Sequence, residues 1–269
     1  MVRRPAVAGS FYPAGPEELS RELDGLLRGL PPAGGTRGIA LMVPHAGYIY
    51  SGRVAAATFA AIRLPRRFVL LGPNHTGLGQ PIAIMDEGSW SLPAGEAEID
   101  ASLAAAVLQA CGAARRDEAA HRREHALEVQ LPFLQRLAER FRFVPICVGT
   151  LELEALLDLG RGVAEAIRGA GEEALIVISS DMSHYLPAST AERLDRRALE
   201  RVLAIDPQGL HRVVLSEDIS MCGIAPAVAG LEAARRLGAA SARLVAYSNS
   251  GERSGDFESV VGYAGVAVT

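Results

Sequence analysis

Lysine is absent from the 269-residue chain, in which all 27 basic residues are arginine. No Schiff base can form on a side-chain amine, so covalent amine catalysis is excluded. With abundant alanine and glycine, this bias reads as the codon preference of a GC-rich genome. Cysteine is scarce too. Cys111, Cys147 and Cys222 are widely spaced and odd in number, which excludes a disulfide framework and a zinc-finger spacing and fits a reducing cytosol. Positive charge is not in excess, since the net charge is -4 and the pI about 5.9, the reverse of a nucleic-acid binder. No unbroken apolar run approaches the roughly 20 residues of a spanning helix. Residues 1–5 carry arginines with no apolar stretch after them, so no leader is expected. These absences predict a soluble, cytoplasmic protein without nucleic-acid or membrane partners.

What is present is a repeated arrangement of apolar runs that stop on histidines. Residues 39–43 are continuously apolar and end at Pro44-His45. Pro44 cannot donate to a ladder, so a buried strand should finish there. A helical pattern follows through Val54, Phe59 and Ile62, with Ser51 as the expected N-cap. Residues 68–71 then lead to Gly72-Pro73-Asn74-His75, and residues 175–178 to Ser179-Ser180-Asp181-Met182-Ser183-His184. Three of the six histidines therefore leave strand ends, the place where open α/β sheets bind ligands.

The remaining chain alternates in the same way. Residues 3–15 read as an irregular arm, 16–30 as an amphipathic helix on Leu19, Leu23, Leu26, Leu27 and Leu30, and 31–38 as a turn cluster. A strand is expected at 81–85, a loop holding Trp90 at 86–95, and a helix at 98–111. A helix over 124–140 contains Pro132, which either kinks it or marks its first turn. A strand at 142–148, helices at 151–168 and 188–205, and strands at 244–247 and 260–268 complete the pattern. No repeat or composition break interrupts it, which predicts one α/β domain over residues 1–269.

His45 and His75, in matching turns, suggest two metal ligands, neutral imidazole being the commonest. The alternative is that each bonds a loop carbonyl. Cys222 stands ahead of a helical pattern through Val228, Leu231 and Leu237, where the helix N-terminus should favour thiolate; a packed thiol is the alternative. Cys111 and Cys147 read as core thiols. Asp181 and His184, three apart, can share a cavity. Asp181 either orients an imidazole or caps a helix, and His184 is a ligand or a general acid/base. Glu124, His125 and Glu128 should open a helix whose dipole favours the carboxylates; Glu128 reads as solvated, and His125 and Tyr48 are further pocket candidates. His121 and His211 suggest no role.

Together, Ala8-Gly9-Ser10-Phe11-Tyr12, Pro44-His45-Ala46-Gly47-Tyr48, Gly72-Pro73-Asn74-His75, Glu124-His125 with Leu131-Pro132-Phe133, Ser179-Ser180-Asp181-Met182-Ser183-His184 and Cys222-Gly223 resemble the Memo family, called AmmeMemoRadiSam system protein B in prokaryotes. The resemblance implies a three-layer α/β/α fold with a central mixed sheet, similar to the catalytic subunits of class III extradiol dioxygenases. It also implies one transition metal ion, iron or copper with zinc as an alternative, on His45, His75 and Cys222, with His184 and Asp181 beside it. The dioxygenases use two histidines and a carboxylate on iron. A cysteine in the third place is softer and puts ring cleavage in doubt. Animal members carry Trp where this chain has Phe11, so their binding of phosphotyrosine peptides does not transfer. Three readings follow. One is a metal-dependent redox enzyme with an unknown small-molecule substrate, and another is a non-catalytic protein binding AMMECR-type and radical SAM partners. The third is a zinc hydrolase.

Overall fold

Four parallel strands carry the candidate residues, and their order in the sheet decides which of those residues can meet. Arg142–Val148, Arg67–Pro73, Ala174–Ser179 and Ala40–Val43 lie side by side in that order, and Val260–Val268 closes on Ala40–Val43 antiparallel. These elements belong to the computed structural model of the chain, which describes residues 1–31, 35–138 and 140–269. Part of the turn cluster expected over 31–38 thus lies outside the described residues, as does residue 139 of the helix expected over 124–140.

Successive strand side chains point to opposite faces, and both faces here are apolar. Ala40, Met42, Val69, Leu71, Ile176 and Ile178 enter one core with the helices Ala101–Ala110, Leu153–Gly169 and Ile224–Arg236. Leu41, Val43, Phe68, Leu70, Leu175 and Val177 enter a second with Pro16–Leu27, Tyr48–Ala60 and Leu131–Leu137. The result is the three-layer α/β/α arrangement around a mixed sheet, twelve-stranded among the described residues. A strand buried on both faces loses polar alternation and becomes a continuous apolar run, which is why these four were legible.

Elsewhere tertiary pairing overrides local pattern. Half of the segment expected as a loop at 86–95 is sheet: Ser89–Leu92 pairs with Gly95–Ile99, which continues onto Arg142–Val148. Trp90 is therefore fully buried in a strand. The helix expected from residue 98 starts at Ala101, because Asp100 caps it by accepting from the Leu103 N–H at 3.0 Å. Ser51 is not an N-cap; the helix begins at Tyr48 behind Gly47, and Ser51 Oγ donates to the Ala46 carbonyl. The helix expected over 124–140 reduces to a single 3-10 turn at Glu128–Gln130 and Leu131–Leu137, with Pro132 in the first α turn. A further helix, Pro207–Ser216, starts on an Asp206 cap that the pattern of alternating runs did not disclose.

His121, given no role from sequence, is fully buried, with Nε2 donating to the Ala83 carbonyl at 3.2 Å and its ring edge-on to Trp90. Burial pushes its pKa down from 6.5 to about 4. The neutral ring is the form the fold favours, so its contribution is complete above pH 6.5 and is lost as pH falls toward 4, where the unfolded chain already carries the proton. Stability should drop by about 1 kcal/mol between pH 7 and pH 5.5 from this group alone. Urea denaturation at the two pH values should show a smaller drop in His121→Gln, which keeps an N–H donor. An identical pH dependence would remove His121 as a source of acid sensitivity.

Candidate metal centre

Because the strands Arg67–Pro73, Ala174–Ser179 and Ala40–Val43 are adjacent and parallel, their C-terminal ends open on one side of the sheet. His75, the Ser179–Asp181 turn and His45 emerge there next to one another. The segment 121–128, which has little regular structure, adds Glu124 and His125. Cys222 arrives from the turn before Ile224–Arg236. That turn comes close enough only because residue 223 is glycine: a Cβ there would stand 2.3 Å from Ser180 Cβ.

The donor nitrogens of His45, His75 and His125 lie within 4.8 Å of one another. Hydrogen bonds fix the form of two of these rings. Ser179 Oγ spends its one hydrogen on the Ala126 carbonyl at 2.6 Å, so toward His45 Nδ1, 2.9 Å away, it can only accept. His45 thus carries its proton on Nδ1 and keeps its lone pair on Nε2. Gln130 Nε2 supports the same hydroxyl at 2.9 Å. Glu124 does the corresponding work for His75, accepting from Nδ1 at 2.9 Å and from its main-chain N–H at 2.6 Å. A carboxylate or hydroxyl behind each imidazole, with the other nitrogen facing the site, is the usual support of a metal-ligating histidine. His125 stacks on His75 at 4.7 Å, and its Nδ1 lies 3.3 Å from Glu124 Oε1.

Charge distribution agrees with this geometry. Burial, then the neighbouring imidazoles, push His45 well below its ordinary pKa, leaving it neutral. Burial also lowers His125, against the pull of Glu124. Burial raises the Glu124 carboxyl, but the bonds from His75 and the Ala126 N–H outweigh it, and it ionises below its ordinary range.

Cys222 departs from expectation. Its Sγ lies 3.2 Å from His45 Nε2 and accepts from the Asp181 N–H at 3.3 Å, so it sits beside His45, but the three donors that converge are His45, His75 and His125, with His125 in the place expected for Cys222. Yet burial, followed by the Asp181 carboxylate, pushes the thiol well above its ordinary pKa. Cys222 stands one residue outside the cap, Gly223, and is half-buried. Cys147 and Cys111 are core thiols, both raised by burial.

Asp181 accepts from the His45 N–H at 2.7 Å, and burial pushes its carboxyl up to about 6. It fixes the His45 backbone; it caps no helix, and it does not hold the His184 ring. The Ser220 carbonyl holds that ring, accepting from Nδ1 at 2.9 Å, with no hydrogen-bond partner for Nε2 among the described residues. Tyr48 turns into the core, donating to the Val129 carbonyl at 2.7 Å and packing on Phe133.

Glu128 is the largest correction. It is fully buried and bonded to Arg3 at 2.6 Å, to the Ala6 and Val7 N–H groups and to the Tyr12 hydroxyl. Sequence reasoning also missed Glu124, Ser179 and Gln130 as supports of the site. Only Glu124 left a signal, as a carboxylate adjacent to a candidate histidine.

The family model described as Memo-like protein matches residues 3–267. A MEMO1 family protein of Aquifex aeolicus is 47% identical over 266 residues, covering 98% of each chain. Another, of Methanopyrus kandleri, is 40% identical over 278 residues, covering 99% of this chain and 98% of its own. The crystal structure of an uncharacterized protein from Escherichia coli K12 superposes with a TM-score of 0.55 at 14% identity, covering 87% of this chain and 100% of that one, a likeness of fold alone. No helix among the described residues is long and apolar enough to cross a membrane.

Proposed function

Because the chain belongs to the Memo-like protein family, we propose that it is a metal-dependent redox protein of the non-haem dioxygenase type, in which His45 and His75 hold one iron or copper ion against a small-molecule substrate. The observation that carries this reading is the meeting of three imidazole nitrogens within 4.8 Å, two of the rings fixed from behind. The donor set fits a transition metal: neutral imidazoles, a carboxylate support and a thiol beside them. Two residues are candidates for the third donor. His125 would complete an all-nitrogen set. Cys222 would add sulfur beside His45, its burial offset by the cation that makes it a thiolate.

When bound, such an ion supplies a redox couple and open coordination positions. The chain's own residues supply the proton handling. His184 presents its Nε2 and can take up or return a proton. Asp181 positions His45 by accepting from its main-chain N–H. A cytoplasmic location, supported by the three free cysteines, and association with AMMECR-type and radical SAM proteins, which rests on the family alone, complete the reading.

The test is anaerobic titration with Fe(II), Cu(I) and Zn(II). Wild type should bind iron or copper one-to-one, and a His45→Ala, Cys222→Ser double variant should bind it more than about 100-fold more weakly, beyond the loss of an outer partner. The single variants Cys222→Ser and His125→Ala decide the third donor. A clear preference for zinc without oxygen consumption would replace the redox reading with a hydrolytic one. Failure of all three metals to bind would leave a partner-binding crevice.

A further inference from the structure

We infer that the N-terminal arm is a clamp for the metal centre and that Arg3 is a positioning residue for Glu124 and His125; the inference deepens the metal-binding reading and rests on it. The segment from His121 to Glu128 presents both residues, yet only its two ends reach short 3-10 turns, Ala119–His121 and Glu128–Gln130. Its backbone lacks the continuous ladder that holds a helical ligand in place.

One guanidinium supplies the missing fixation. Arg3 Nε donates to the His121 carbonyl at 2.7 Å, Nη2 to the Glu124 carbonyl at 2.6 Å and Nη1 to Glu128 Oε2 at 2.6 Å. The group therefore bridges the beginning, middle and end of the segment. Its plane is set by the Trp90 ring, 4.0 Å below. Only arginine offers several donors in a rigid planar fork; lysine offers a point charge.

The arm then reaches the histidines directly. Glu128 takes the N–H groups of Ala6 and Val7 and the Tyr12 hydroxyl, which fixes the turn between them. From that turn the Phe11 ring packs 4.8 Å from His125, and the Phe11 carbonyl accepts from the Tyr48 N–H at 2.8 Å, at the start of the helix after His45. The arm is thus tied to the elements carrying two of the three imidazoles.

The experiment compares wild type, Arg3→Lys and Val163→Ala, the last a core truncation among the helices of the opposite layer that lowers stability without touching the segment. Each is titrated with Co(II), and the histidine ring resonances of each are recorded by NMR without metal. Arg3→Lys should weaken Co(II) binding by about ten-fold, the low end for an outer partner, and shift the visible Co(II) bands. It should also move the His75 and His125 ring resonances while leaving His211, bonded to the Leu151 carbonyl, in place. Val163→Ala should change neither readout at an equal or larger loss of Tm. Wild-type affinity and unmoved His75 and His125 resonances in Arg3→Lys would overturn the clamp and leave Arg3 a purely structural anchor. If wild type binds no Co(II), the metal reading fails, and the resonances still decide whether the arm positions the two histidines.

Discussion

Glu128→Ala should destabilise the protein by about 3–5 kcal/mol, the range for removing one partner of a buried ion pair. The side chains of Arg3 and Glu128 are 5% and 0% exposed, so the stranded guanidinium has no water to turn to. The loss reaches beyond the pair, since the Ala6 and Val7 N–H groups and the Tyr12 hydroxyl lose their acceptor as well. An unsatisfied buried donor costs about 1–3 kcal/mol. Burial, the largest cause of the raised Tyr12 pKa, remains in the variant and opposes ionisation of the phenol. For a chain of this size the fall in Tm should be on the order of 10 °C. Glu128→Gln, which keeps the shape and one good acceptor, should fall between. Urea denaturation checks both, and a loss below about 1 kcal/mol for the alanine variant would show that the arm is held by its apolar packing instead.

Glu128 also shows where sequence reading stops. A carboxylate four residues after Glu124, with helical spacing, looks like a solvated helix start. What makes it a buried hub is Arg3, 125 positions away, and no local pattern encodes that pairing. The doubly buried strands were legible for the opposite reason: continuous apolar runs such as residues 39–43 reflect burial on both faces. Their C-terminal histidines were legible because each run ends at a proline or a polar turn. Trp90 and the Gly95–Ile99 strand were not, since their strand character depends on pairing with Arg142–Val148. Cys222 is an intermediate case. Its position ahead of a helix was legible in the pattern, while the burial and the Asp181 carboxylate that raise the metal-free thiol come from residues distant in sequence.

Glu124→Gln should weaken metal binding by about 10–100-fold while leaving the fold intact, the typical effect of losing the outer partner of a ligating histidine. The wild-type carboxylate accepts from four donors: Oε2 takes the His75 N–H, and Oε1 takes His75 Nδ1 and the N–H groups of His125 and Ala126. An amide has one accepting oxygen, so in either orientation its NH2 must face a donor. If the oxygen stays with the Oε1 set, the His75 N–H opposes an N–H and the loop shifts. If it flips, His75 Nδ1 loses its acceptor, and the proton can move to Nε2, the nitrogen needed for the metal. Either arrangement removes the negative charge that makes the imidazole a better donor. Competitive titration against a chelator measures the affinity, and the NMR coupling pattern of the His75 ring reports which nitrogen is protonated. Unchanged affinity together with an unchanged His75 tautomer would show that the ring is held by its packing against His125, and would reduce Glu124 to a turn-forming residue. A loss of affinity accompanied by the tautomer switch would show that this buried carboxylate sets the form in which His75 meets the metal.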